Sequence, residues 1–92
     1  MNENTHPLKR SDSIQYRDID GHIFLIDDDR GGIHALDVVG SAVWRVLDEP
    51  MSLKEIVSLF QTAFPDRPKS AVRKEISKFA NELVKKDLLC KA

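Results

Sequence analysis

The apolar residues of this chain change their period at Asp37, and that change bounds what it can fold into. Ahead of Asp37 they alternate or run in short blocks between turn signals. Ile14-Gln15-Tyr16-Arg17 alternates as a half-buried strand does. Asp20-Gly21 follows, the strongest short hairpin signal, because both residues tolerate positive φ. His22 to Ile26 is a near-continuous apolar run, the pattern of a central strand covered on both faces. Asp27 to Gly32 reads as a looser turn, and Ile33-His34-Ala35-Leu36 as a third short strand. A three-stranded antiparallel meander is the simplest arrangement of these segments.

From Asp37 onward the spacing is helical. Asp37 occupies an N-cap position, where a carboxylate accepts from N–H groups that the first turn leaves unpaired. Val39, Val43, Val46 and Leu47 then share one face, and Asp48-Glu49-Pro50 ends the helix. Ser52-Leu53-Lys54-Glu55 is a capping box with Met51 and Ile56 at the staple positions, and the stripe Leu53, Ile56, Val57, Phe60 and Phe64 follows from it. Pro65 to Pro68 breaks the chain, and Pro68 suits the first turn of a third helix. That helix carries Val72, Ile76, Phe79 and Leu83 on one face. Leu88-Leu89-Cys90 is a short apolar tail placed to close the base of the helices, with Cys90 acting as a small hydrophobe. Strands first and helices second predict an α+β, winged-helix-like fold: a three-stranded antiparallel sheet followed by three helices. Residues 1–12, polar and charged, read as a flexible N-terminal arm, and residues 13–92 as one domain.

Composition narrows the function classes. Ninety-two residues with 41% apolar content can bury one modest core and leave little room for an enclosed active site. No apolar stretch approaches the roughly 18 residues of a membrane helix, and the polar start lacks the basic-then-apolar order of a signal peptide. A lone cysteine forms no internal disulfide, which fits the cytoplasm. His6, His22 and His34 have no companions at metal-ligand spacing, so neither a metal nor another cofactor is expected. Asp27, Asp28 and Asp29 lack the alternating oxygens and distal Glu of a calcium loop and read as a solvated hairpin tip. Gly31-Gly32 lacks the Lys-Ser/Thr of a phosphate loop. Ser11, Ser13 and Ser52 have no His/Asp company in a recognised order. The chain reads as a non-enzyme with no catalytic residues.

Charge argues against nucleic acid. From Lys69 to the end, seven basic residues face three acidic ones, whereas from Arg10 to Asp37 three basic residues face seven acidic ones. An acidic hairpin in the place of a wing repels a phosphate backbone. The third helix also lacks an Asn/Gln/Arg cluster at its start for reading base edges.

What remains is an edge. The first strand carries Arg17 and Asp18, and the arm before it can cover it; the third, Ile33 to Leu36, has neither acid, Lys/Arg nor proline. Proteins usually blunt the strand edges they do not use. An open edge held tightly against a helix is a docking site for an extended peptide, with backbone hydrogen bonds for affinity and neighbouring pockets for specificity. The same edge can pair with its copy in a homodimer or be capped by residues 1–12. A monomer or weak homodimer is expected.

These residues resemble a known family. Asp20-Gly21, the run His22 to Ile26, and Ala35-Leu36-Asp37 with Gly40, Trp44, Leu47 and Asp48 are similar to the PqqD-like peptide chaperones, also called RiPP recognition elements. So are Ser52-Leu53, Glu55-Ile56-Val57, Glu75-Ile76, Phe79, Leu83 and Leu88-Leu89, so that the resemblance spans roughly residues 14–90. The family commonly has Asn where Asp37 stands, which keeps the cap, and Gly where Asp87 stands, which leaves that turn to be closed differently.

The resemblance implies a winged-helix-derived, free-standing adaptor. It would bind the leader segment of a ribosomally made precursor peptide as a strand added to the third strand, beside the third helix. It also implies a partner enzyme that modifies or cleaves the same precursor; the charge balance and the lack of a membrane-length apolar stretch leave no nucleic-acid or membrane partner expected. The peptide-binding residues expected are then Ile33, His34, Ala35 and Leu36 on the edge, with Arg73, Ser77, Ala80 and Val84 on the groove side of the third helix. Arg73 is expected either to pair with an acidic residue of the leader or to belong to a solvated basic face paired with Glu75 and the aspartates of the hairpin. Trp44 belongs to the core, with Gly40 one turn earlier to accommodate its side chain. A nucleic-acid-binding winged helix and a homodimeric scaffold stand as the alternatives.

Overall fold

The computed structural model describes residues 6–92. In chain order it has β1 (Pro7–Arg10), β2 (Ile14–Ile19), β3 (His22–Asp27), β4 (Gly32–Ala35), α1 (Val38–Val46), β5 (Met51–Ser52), α2 (Leu53–Ala63), α3 (Lys69–Lys85) and β6 (Leu89–Lys91). The expected meander is present as the antiparallel sheet β2–β3–β4, and the three helices follow it, an α+β, winged-helix-like arrangement.

Local chemistry explains each joint. Asp20 and Gly21 both have positive φ, 52° and 85°, as a two-residue hairpin joining twisted strands requires. Between β3 and β4, the Asp27 side chain accepts from Arg30 N–H (3.1 Å) and its carbonyl from Gly31 N–H (2.7 Å). Asp27 is therefore buried rather than part of a solvated tip; Asp28 and Asp29 are the exposed ones. Asp37 caps α1 by accepting from Gly40 N–H at 2.7 Å, and Ser52 and Glu55 complete a reciprocal capping box at the start of α2. α3 ends with Asp87 at φ 59°, where Leu88 N–H donates to Leu83 O (2.8 Å) and Asp87 N–H to Val84 O (3.1 Å). That is a Schellman closure built on aspartate in place of glycine.

The structure corrects further expectations. Residues 1–5 of the expected arm lie outside the described residues, but its remainder is not an arm. Pro7–Arg10 forms the centre of a second antiparallel sheet, ordered β5–β1–β6, with Leu8 buried in the core. Two- and three-residue partner strands carry too little alternation to announce themselves in sequence, and their pairing is decided by tertiary packing. The C-terminal tail accordingly closes the base as a strand: Leu88 and Leu89 are buried and Cys90 only half-buried. The central strand β3 is covered on one face, with Ile23 and Leu25 fully buried and Phe24 and Ile26 only half-buried. Finally, Phe64 is half exposed beyond α2, and in α3 it is Ala80, with Val72, Ile76 and Leu83, that is buried, while Phe79 sits at the core's margin.

Trp44 takes its expected place at the centre of the core, 1% exposed. Tyr16 meets it edge to face at 5.8 Å, and Arg10 lies over both rings while donating to the Trp44 carbonyl at 3.1 and 2.6 Å. Arg10 thereby ties β1 to the C-terminal end of α1, where the helix dipole favours a cation.

Candidate functional site

β4 pairs only with β3, so its other edge is unpaired among the described residues. Leu36 N–H donates to Ile23 O at 2.9 Å, which makes Leu36 and Ile23 opposite partners whose backbone groups face each other. Because bonded and non-bonded pairs alternate along an antiparallel ladder, His34 also turns its backbone toward β3. Ile33 and Ala35 turn theirs outward. Two residues thus present a short row of donors and acceptors at the edge.

The buried hydroxyl of Ser41 holds this edge in place. Its Oγ accepts from Ile23 N–H (3.0 Å) and donates to Leu36 O (3.4 Å), bolting the first turn and a half of α1 to β3 and to the end of β4. Arg30 secures the other end: it donates to Lys86 O (3.2 Å) and pairs with the Asp87 carboxylate, so the β3–β4 hairpin is fastened to the end of α3. A third clamp, Arg45, holds the β2–β3 turn through Asp18 (3.0 Å) and Gly21 O (2.6 Å). The strand-to-helix joint at Asp37 is rigid because backbone and side chains fix it from both sides.

Beside the outward edge runs an open groove whose far wall is α3. Ile33, His34, Ala35, Leu36 and Asp37 line one side; Phe79, Glu82, Leu83 and Lys86 line the other. It continues toward the start of α1, where Asp37 and Val39 face Glu75, Lys78, Phe79 and Glu82. Gly40 opens that end: a Cβ there would stand 2.6 Å from the Phe79 ring. The glycine therefore makes room for Phe79, not for Trp44 as its position one turn earlier had implied. Leu36, Phe79 and Leu83 contribute apolar lining to the groove, and Asp37, Glu82 and Lys86 place charges of both signs along it.

The four edge residues expected from sequence are thus brought together in one groove, and the four expected on α3 are not. Arg73 and Ser77 line a separate cleft between α2 and α3, together with Lys54 and Lys69. Ala80 is 1% exposed in the core, and Val84, partly buried against that core, borders a separate hollow with Asn81 and Lys85. The groove wall lies on the other flank of the buried stripe, at Glu75, Lys78, Phe79, Glu82 and Lys86. The reason is local. Stripes 72-76-79-83 and 72-76-80-83 are equally helical, and bulk favours Phe79 over Ala80 as the core residue until Gly40 offers the ring another seat. The one sequence signal for this seat was Gly40 itself, a residue that weakens a helix interior unless something approaches it closely.

No curated protein matches the chain. Among solved structures, the chain is similar to that described as TbiB1 in complex with the TbiA(beta) leader peptide: 30% identity, TM-score 0.80, covering 88% of this chain and 93% of that one. The family model for coenzyme PQQ synthesis protein D (PqqD) matches residues 22–89, from the start of β3 to the start of β6. Since that span is well over half of the chain and contains the open edge and the helix wall beside it, the chain belongs to the PqqD family, as a PqqD-like RiPP recognition element.

Proposed function

We propose that this protein is a non-catalytic adaptor that binds the leader segment of a ribosomally synthesised precursor peptide and presents it to a modifying or processing enzyme. The observation that carries this reading is the unpaired edge of β4. Ile33 and Ala35 offer outward backbone groups to an incoming strand, with the groove against α3 directly alongside. The match to a structure described as a leader-peptide complex supports the same ligand class. β2, the other edge of the sheet, suits the role less, because Arg17 and Asp18 lie on it and Asp18 is engaged by Arg45.

Short open reading frames encoded beside this protein and a peptide-modifying enzyme supply the candidate ligands. Synthetic peptides covering their N-terminal halves should bind by calorimetry. On binding, the amides of Ile33 and Ala35 should gain hydrogen-exchange protection while that of His34, already bonded within the sheet, changes little. Binding without added protection at Ile33 and Ala35 rules out strand addition at this edge. Adding the neighbouring enzyme should then accelerate modification of the full precursor only when the adaptor is present.

A further inference from the structure

The sheet β2–β3–β4 has a second face, and it is apolar where it meets the open edge. Cross-strand partners share a face, so the register places Ile23, Leu25, His34 and Leu36 on the helix side. Phe24 with Ala35, and Ile26 with Ile33, lie on the far side. Ile33 is 72% exposed there, and Phe24 and Ile26 belong to no part of the core.

A strand added to β4 places alternate side chains on the two faces. Those opposite His34 and Leu36 enter the groove beside α3; those opposite Ile33 and Ala35 extend the two far-side rows, in contact range of their neighbours. Resting on the proposed strand addition, we infer that the ligand is read on both faces, and that Ile33, Ala35 and Phe24 select for apolar residues on the side turned away from α3. Each far-side row has its own shape. Ile33 is a full-sized branched neighbour and suits a branched aliphatic residue opposite. Ala35 is only a methyl between the ladder edge and the Phe24 ring, which leaves height for a large, aromatic side chain reaching over it. The favoured ligand segment is therefore a consecutive apolar run, not one in which apolar and polar residues alternate. A continuous run is otherwise unusual for an edge strand, whose outer side normally meets water.

A displayed library of short random peptides, selected separately on the wild-type protein and on Ile33→Lys, tests this. Ile33 is an exposed edge residue, so the substitution is expected to leave the circular dichroism spectrum native; Ile33→Ser serves if it does not. Wild-type selection should enrich segments apolar at both alternate sets of positions. Selection on Ile33→Lys should keep the set that faces α3 and replace the apolar residue opposite position 33 by an acidic or polar one. A wild-type-selected peptide should bind Ile33→Lys about tenfold more weakly. Enrichment confined to one alternate set, or the same motif from both proteins, overturns the two-faced reading. In that case strand addition still stands if the selected peptides protect the Ile33 and Ala35 amides. Failure to protect those amides, or to select any peptide, overturns both.

Discussion

Gly40 and Phe79 act as one unit, because the missing Cβ of the first is the space occupied by the ring of the second. In Gly40→Ala the methyl would press on the far edge of that ring and crowd the Asp37 carboxylate at 3.1 Å, so the ring at the groove wall must shift. The helix gains about 1 kcal/mol of propensity from losing a glycine, which offsets part of the packing loss, so thermal stability should change little. Peptide affinity, measured by calorimetry, should fall even so. A variant that binds normally would show that Phe79 has slack in its seat. Trp44 is the opposite case. It is fully buried beneath Tyr16 and Arg10, away from the residues that line the groove, so truncation acts on the fold. Trp44→Ala should cost about 3–5 kcal/mol in denaturant unfolding, a large fraction of a small domain's stability. A stable Trp44→Ala protein that lost only peptide binding would move the indole into the site.

At the scale of elements, the strand β4 divides into residues that serve the sheet and residues that serve the edge. Ala35 has its N–H outward, whereas that of His34 is committed to β3. Proline removes a donor wherever it is placed, so the two positions should respond differently. Ala35→Pro should keep native circular dichroism and weaken leader binding by about tenfold or more, roughly 1.4 kcal/mol, for the lost ladder bond and the obstructed approach. His34→Pro should instead break the β3–β4 pairing and lower the unfolding midpoint whether or not peptide is present. Equal affinity of a folded Ala35→Pro protein and wild type would remove the edge from the binding site. α3 divides in the same manner, with one flank of its buried stripe turned to the groove and the other to α2.

Over the whole molecule, the basic excess of the C-terminal third is not concentrated on the groove. Arg73 and Lys69 lie with Lys54 between α2 and α3, whereas Lys86 stands at the groove mouth beside Glu82. Along the helix axis Arg73 and Lys86 are separated by about 20 Å, since each residue rises about 1.5 Å. That exceeds the Debye length of roughly 8 Å at physiological ionic strength. Reversing the two charges should separate their roles. Lys86→Glu should change the salt dependence of peptide association, and Arg73→Glu should leave it as in wild type at physiological salt. Stopped-flow association rates at low and moderate salt measure both. A salt dependence altered by Arg73→Glu alone would place the peptide's charged end between α2 and α3.

The residue pattern by itself determined the meander, the three helices and the caps of the first two, because each rests on contacts within a few positions: Asp20-Gly21 at its turn, Asp37 with Gly40, Ser52 with Glu55. It also marked Ile33 to Leu36 as an edge, since an uncharged short strand beside a helix is visible without coordinates. Three things were left to tertiary structure. Pro7–Arg10 became a strand only because Met51–Ser52 and Leu89–Lys91, distant in sequence, arrive on either side of it. The far face of the sheet stayed open because the helices pack on one side of an apolar strand whose composition suits two. Which flank of α3 forms the groove was decided by the seat that Gly40 gives Phe79. Helical periodicity states which residues share a face, but it is blind to the neighbour that the face will meet.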